Sequence, residues 1–156
     1  MLDILGKMAG GLVLGLGGIG SCMGILAAGT AAAAAWANEG KAGKNPSFQY
    51  ILMIAAPISQ TLYSFILMLA MRDIASTPAN TMLMFGVAIG CGAIELSSAY
   101  CQGLIGAAGV RCLNENGGKG FAFLIIALGI IETVGIFGLA FGSILLKSAA
   151  VVTVGG

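Results

Sequence analysis

One run of the chain sets a carboxylate among apolar and small residues: Leu124-Ile-Ile-Ala-Leu-Gly-Ile-Ile-Glu132-Thr-Val-Gly-Ile-Phe-Gly-Leu-Ala-Phe141. If the run crosses a bilayer as a helix, Glu132 lies near the midplane, because a span takes roughly 20 residues. A carboxylate at that depth is costly, and such groups are usually buried in a bundle, paired, and set on an ion or proton path. Polar partners exist at the same depth. Glu132 lies about 12 residues after Gly120, Gln102 about 11 before Leu113, and Ser59 and Gln60 about 12 and 13 after Ser47. At a helical rise of 1.5 Å, all four stand roughly 17–20 Å from one set of loops.

Pro57 comes just before this polar pair, in Ala55-Ala-Pro57-Ile-Ser-Gln-Thr-Leu-Tyr63. It lacks an N–H, so the Met53 carbonyl loses its helical donor and a kink with free carbonyl oxygens is expected. Ser59 and Tyr63 are four apart and share a helix face. A carboxylate, two amides, a hydroxyl and a freed carbonyl suit a small hard cation, which favours oxygen ligands. Tyr63 and Thr133 are expected to donate hydrogen bonds that hold the carboxylate in place. A proton carrier needs only the carboxyl and an apolar pocket. Two glutamines at that depth exceed the need, which favours sodium, with a proton as the alternative. Interhelical hydrogen bonding alone would explain any one of Gln60, Gln102 and Ser59, but not their shared depth with Glu132.

The elements that must position these groups follow from composition. Of 156 residues, 58% are hydrophobic and only seven are basic and six acidic. That is far below the charged share of a soluble domain. Most charges fall in clusters that divide the chain into four apolar spans, about 8–37, 48–71, 80–112 and 120–148. Each is long enough to cross a membrane as a helix, so the expected fold is all-α and integral to the membrane. The apolar run after Lys7 passes residue 30 and reads as a span rather than a signal peptide. Linkers are marked by Asn38 to Pro46, Ser76-Thr-Pro78 and Asn114 to Gly118. Trp36, Phe48 and Tyr50 flank the first of them as interfacial aromatics. Basic residues favour loops 38–47 and 113–119 on the cytoplasmic side and both termini outside, by a single charge.

The 26 glycines lie inside apolar runs. Spans 1 and 3 are both rich in them, and Ala27-Ala-Gly29 matches Ala107-Ala-Gly109. Gly20-x-x-x-Gly24 and Gly86-x-x-x-Gly90 are small-residue patterns that permit close helix packing. Spans 2 and 4 are bulkier. The chain therefore reads as one membrane domain of two duplicated helical hairpins, about 8–72 and 80–148. The thin helices form an inner layer and the bulky ones a lipid-facing layer.

Other chemistries are excluded. There is no histidine, which removes histidine metal sites and histidine acid–base catalysis. The net charge of +1 and the lack of a basic patch give nucleic acid no footprint. The glycines form no phosphate loop, so no nucleotide site is expected. No catalytic residue and no organic cofactor are expected either. The four cysteines have no paired spacing and read as free thiols, three of them buried in apolar runs.

The set Pro57-x-Ser59-Gln60-x-x-Tyr63, Gln102-Gly103 with Ala107-Ala-Gly109, and Ile131-Glu132-Thr133 resembles the proteolipid of V-type rotary ATPases. In bacterial sodium-pumping members this is the K-type proteolipid. The resemblance covers essentially the whole chain. It implies a ring of identical subunits, turned by central stalk subunits at loops 38–47 and 113–119, with ion exchange where Glu132 meets a membrane stator protein. The chain would be a non-catalytic component, with ATP chemistry left to its partners. The implied ligands are Glu132, Gln60, Gln102, Ser59 (where threonine is more usual) and the carbonyl of Ala56, with Tyr63 bonded to the carboxylate. The first hairpin has Pro57 where the second has Glu132, so each copy would carry one ion. A stand-alone four-helix transporter or channel, and a purely structural membrane protein, are the readings from other classes.

Glu95 has no match in this pattern. It lies seven residues before Gln102, on a similar face, about 10 Å further from the loops. It is expected to face the ring's interior, to pair with Ser97 or Ser98, or to keep its proton, with a second ionisable group on the ion path as the alternative.

Overall fold

The computed structural model describes residues 1–152. Among them there is no strand. Helix α1 spans Leu2–Lys41, α2 Gln49–Ala55, α3 Ser59–Arg72, α4 Pro78–Glu115 and α5 Phe121–Val152, with a 3₁₀ turn at Ala56–Ile58 joining α2 to α3. Four helical segments are long and apolar enough to span a membrane: Ile4–Lys41, Gln49–Arg72, Pro78–Glu115 and Phe121–Ala149. They match the four expected spans but run further at their ends. A charged residue in a last turn does not stop a helix, because its side chain can reach water while the backbone stays helical.

The helices form two layers. The glycine-rich helices α1 and α4 lie backbone to backbone. A Cβ on Gly20 would stand 2.5 Å from Leu96 Cα, and one on Gly103 would overlap Gly24. Lipid gives helices no hydrophobic reason to associate, so this close approach, with its dispersion contacts, is what holds them. Segment α2–α3 lies on the α1 side and α5 on the α4 side, and α3 meets α5 across the second layer.

Not every glycine is used this way. Gly20 and Gly24 pack as expected, but a Cβ on Gly86 or Gly90 would meet nothing within 4 Å, and the same holds for Gly11, Gly15 and Gly18. These stripes point away from the chain's own bundle, so the second small-residue pattern does not join helices within one copy of the chain.

Two apolar clusters fill the ends of the bundle. Val13, Leu67, Met84, Val87 and Ala88 belong to one, and Ala32, Met53, Val110, Leu113 and Leu128 to the other. The polar layer lies between them.

The ends are closed by specific chemistry. Thr77 caps α4, its hydroxyl accepting from Asn80 N at 3.2 Å, with Pro78 in the first turn. The α4–α5 turn needs left-handed backbone, supplied by Gly117 and Gly118 (φ 61° and 85°). At the first linker, Tyr50 OH donates to Glu39 Oε1 at 2.7 Å, and Glu39 Oε2 accepts from Ser47 N at 2.9 Å. Asn114 Nδ2 reaches both Tyr50 OH and the Ala35 carbonyl at 3.4 Å. This clamp ties α1, α2 and α4. Tyr50 is thus fully buried and not the interfacial aromatic expected, because Glu39 and Asn114 give its hydroxyl partners inside the bundle. All four cysteines are free, but only Cys91 is buried and Cys22 is exposed, since an apolar run has an outward face as well as an inward one.

Candidate functional site: a carboxylate in a ring of oxygens

The break at Pro57 builds half of the site. Proline ends α2 at Ala55, and the tighter 3₁₀ turn carries the chain to Ser59. The Met53 carbonyl does turn away from its own helix, but towards Gly106 on α4 and not into the site. The Ala56 carbonyl is the one that faces the polar layer.

Glu132 of α5 is half-buried and meets four donors. Tyr63 OH donates to Oε1 at 2.5 Å. Oε2 accepts from Ser59 Oγ at 3.0 Å, from Gln60 Nε2 at 3.2 Å, and from Gln102 Nε2. Ser59, Gln60 and Gln102, which share its depth, and Tyr63, which shares the face of Ser59, thus converge on one carboxylate. A cleft of about 260 Å³ opens beside it, lined by Ala56, Gln102, Leu128, Gly129 and Glu132 among others.

The oxygens are crowded. Ser59 Oγ stands 3.0 Å from the Ala56 carbonyl, 3.1 Å from Gln60 Oε1 and 3.0 Å from Glu132 Oε2. A hydroxyl has one proton, so it can satisfy only one of these three acceptors at a time. Gln102 Oε1 is buried and accepts no hydrogen bond. The cluster has more oxygen lone pairs than donors, which is the condition a cation corrects.

Thr133 departs from expectation. Its hydroxyl is exposed and donates to its own helix at Ile130 O, 2.7 Å away. It follows Glu132 by one residue, a helical turn of about 100°, which carries it off the site face. Glu95 departs too. It is fully buried, yet its oxygens have no hydrogen-bond partner. They lie against α5, where a Cβ on Gly135 or Gly138 would be 2.8 Å away. Neither serine pairs with it: Ser97 donates to Ala93 O at 2.8 Å and Ser98 to Ile131 O at 3.0 Å.

Ser98 has a different task. Its oxygen accepts from Gln60 Nε2 at 3.2 Å while its proton goes to α5, so it fixes the amide that reaches Glu132. It lies one helical turn from Gln102, the spacing by which it could have been recognised.

Among the described residues no group of three or more histidine, cysteine or acidic side chains could hold a metal. Neutral oxygens and amide donors surround Glu132 instead of basic groups.

Residues 85–145 match the family model of the ATP synthase C-type ring protein. The matched stretch runs through most of α4 and α5 and contains Gln102 and Glu132. These two helices are therefore similar to the ion-carrying protein that forms the rotor ring of rotary ATPases. Compared with curated proteins, the chain matches none. Together with its four membrane-length apolar helices, the match supports a multi-pass membrane protein that works in ion transport.

Proposed function

We propose that the chain is a rotor-ring component of a V-type rotary ATPase that carries sodium at Glu132. The observation that carries this reading is the set of oxygens around Ser59 Oγ, three acceptors within 3.1 Å sharing one proton. Sodium would be held by Glu132, Gln60 Oε1, Ser59 Oγ and the Ala56 carbonyl, with Gln102 Oε1 a further neutral oxygen. Tyr63 would keep the carboxylate turned to the ion.

Binding cancels the one charge at the centre of the span. A carboxylate there costs on the order of 3 kcal/mol even on the mildest scale, so the loaded site can pass lipid and the empty one resists it. Release then needs a competing cation, supplied by a membrane stator protein. The unfilled stripes at Gly11, Gly15, Gly18, Gly86 and Gly90 support assembly from identical copies into a ring, as against a solitary transporter. The chain would act as one domain of two duplicated hairpins, with loops 38–47 and 113–119 cytoplasmic and facing the stalk.

The test is labelling by a hydrophobic carbodiimide, which attacks protonated carboxyls in apolar surroundings, with and without sodium at fixed pH. Peptide mass spectrometry locates the adduct. Modification at Glu132 that sodium suppresses is the expected result. Modification of Glu132 indifferent to sodium points to a proton-carrying ring. Modification of Glu95 alone moves the ion site to α4.

A further inference from the structure

The ligands on α2–α3 all sit on or beside a 3₁₀ turn, a short element that does not fix its own rotation. It is held from the side opposite Glu132. Ser21 of α1, which is 4% exposed, donates its hydroxyl to the Pro57 carbonyl at 2.5 Å. Thr61 donates in turn to Ser21 Oγ at 2.8 Å, with Gly17 O also in reach at 3.4 Å.

Helix α1 is shaped for this contact. Gly17 and Gly24 lie four residues before and three after Ser21, on one helix face. A Cβ on Gly24 would stand 2.9 Å from Pro57 Cβ and Cγ, and one on Gly17 would stand 2.9 Å from Gln60 O. Larger residues would push α1 off the turn and draw Ser21 away from it. Ala56 precedes Pro57 by one residue and Ser59 follows it by two. In so tight a turn, any rotation at Pro57 moves the Ala56 carbonyl and the Ser59 hydroxyl together. None of the hydrogen bonds of Ser21 goes to the oxygens around Glu132.

We propose that Ser21 is a positioning residue for the cation site, which sets affinity and size selectivity by holding the Pro57 carbonyl, with Thr61 orienting its hydroxyl. This rests on the reading of the Glu132 cluster as a site for a small monovalent cation. Residues that orient ligands from behind typically change ion affinity by ten- to hundredfold when removed.

The experiment uses assembled rings in detergent and measures the sodium concentration that half-protects Glu132 from the carbodiimide, then repeats it with lithium. For Ser21→Ala, half-protection should need about tenfold more sodium. The sodium-to-lithium ratio should shift, while the labelling rate without either ion and the ring's mass stay as in the unmodified protein. Ser21→Thr, which keeps the hydroxyl, should restore half-protection to within about threefold. If Ser21→Ala does not assemble, Ser21→Cys gives the same measurement with a weak donor of similar size, and about the same loss is expected. Unchanged half-protection in the assembled variants overturns the proposal. So does a Ser21→Thr variant as weak as Ser21→Ala, because the role would then be packing. Sodium failing to protect the unmodified ring overturns the reading of the site itself and the proposal with it.

Discussion

The carboxylate of Glu132 and the hydroxyl of Ser59 stand 3.0 Å apart across 73 residues of chain. Each comes from the bulkier helix of its half, and the contact closes the second layer of the bundle at its polar level. Ser59 is also the point where the oxygens outnumber the protons, so it is the residue at which a cation and a hydrogen-bond network are distinguishable. Ser59→Ala removes one ligand, and Ser59→Thr keeps it. In sodium-protection assays the alanine variant should need about tenfold more sodium and the threonine variant about as much as the unmodified protein.

Glu132→Gln should abolish both carbodiimide labelling at that position and sodium uptake in reconstituted membranes. Ring assembly should persist, because a neutral amide at this depth is cheaper than a carboxylate. Intact sodium transport by this variant would leave only a structural role for Glu132. Thr133→Val should change neither quantity, since the Thr133 hydroxyl is spent on its own helix.

The glycines divide into two groups with different expected failures. Gly24→Leu places a side chain against Pro57 and the Ala99 carbonyl, so the single chain itself should fail to pack. Gly15→Leu and Gly86→Leu meet nothing inside the chain's own bundle. They should leave a folded, helical monomer, but reduce the large oligomer seen by native mass spectrometry in detergent. Equal behaviour of the two groups would mean that the open stripes face only lipid.

Gly135 makes room for Glu95 and Gln60 together. A Cβ there would be 2.8 Å from Glu95 Oε2 and 3.2 Å from Gln60 Nε2. Gly135→Ala should therefore displace Gln60 and weaken sodium protection, and overpacking of this kind destabilises by about 1–3 kcal/mol. Glu95→Gln keeps the shape and should hold half-protection within about threefold. A larger loss would place Glu95 on the ion path.

Much of the architecture is legible from charge clusters and depth. Membrane spans are set by a length any apolar run must meet, so the four helices can be counted. Depth along a helix is also countable, and it brings Glu132, Gln60, Gln102 and Ser59 to one level. Direction around the helix is harder. Thr133 shares the depth and not the face. Glu95 is expected on the face of Gln102, and its burial agrees, but no spacing rule says that two glycines on α5 make room for its carboxylate. Ser21 escapes sequence reasoning for a different reason. It lies about 17 residues before the linker at Asn38, too deep for the polar layer by that count. However, α1 stays helical to Lys41, and the chain turns back beyond the expected boundary, so the register between α1 and the Pro57 turn is not readable from the linker alone. The distinction between Gly20 and Gly86 is equally out of reach, since both belong to the same pattern and only a neighbour tells them apart.

The clamp of Glu39, Tyr50 and Asn114 has a mechanical consequence. Helix α1 is 40 residues long, which is about 60 Å of rise against a hydrocarbon core of about 30 Å. An unbraced helix end standing clear of the bilayer is a soft spring, and work applied to it is stored as twist and lost as heat. By cross-tying α1, α2 and α4 beneath the first linker, these three side chains shorten the free lever at the end of the bundle. In a turning ring, that stiffness decides how much of the angular displacement at the loops arrives at Glu132 in the same step.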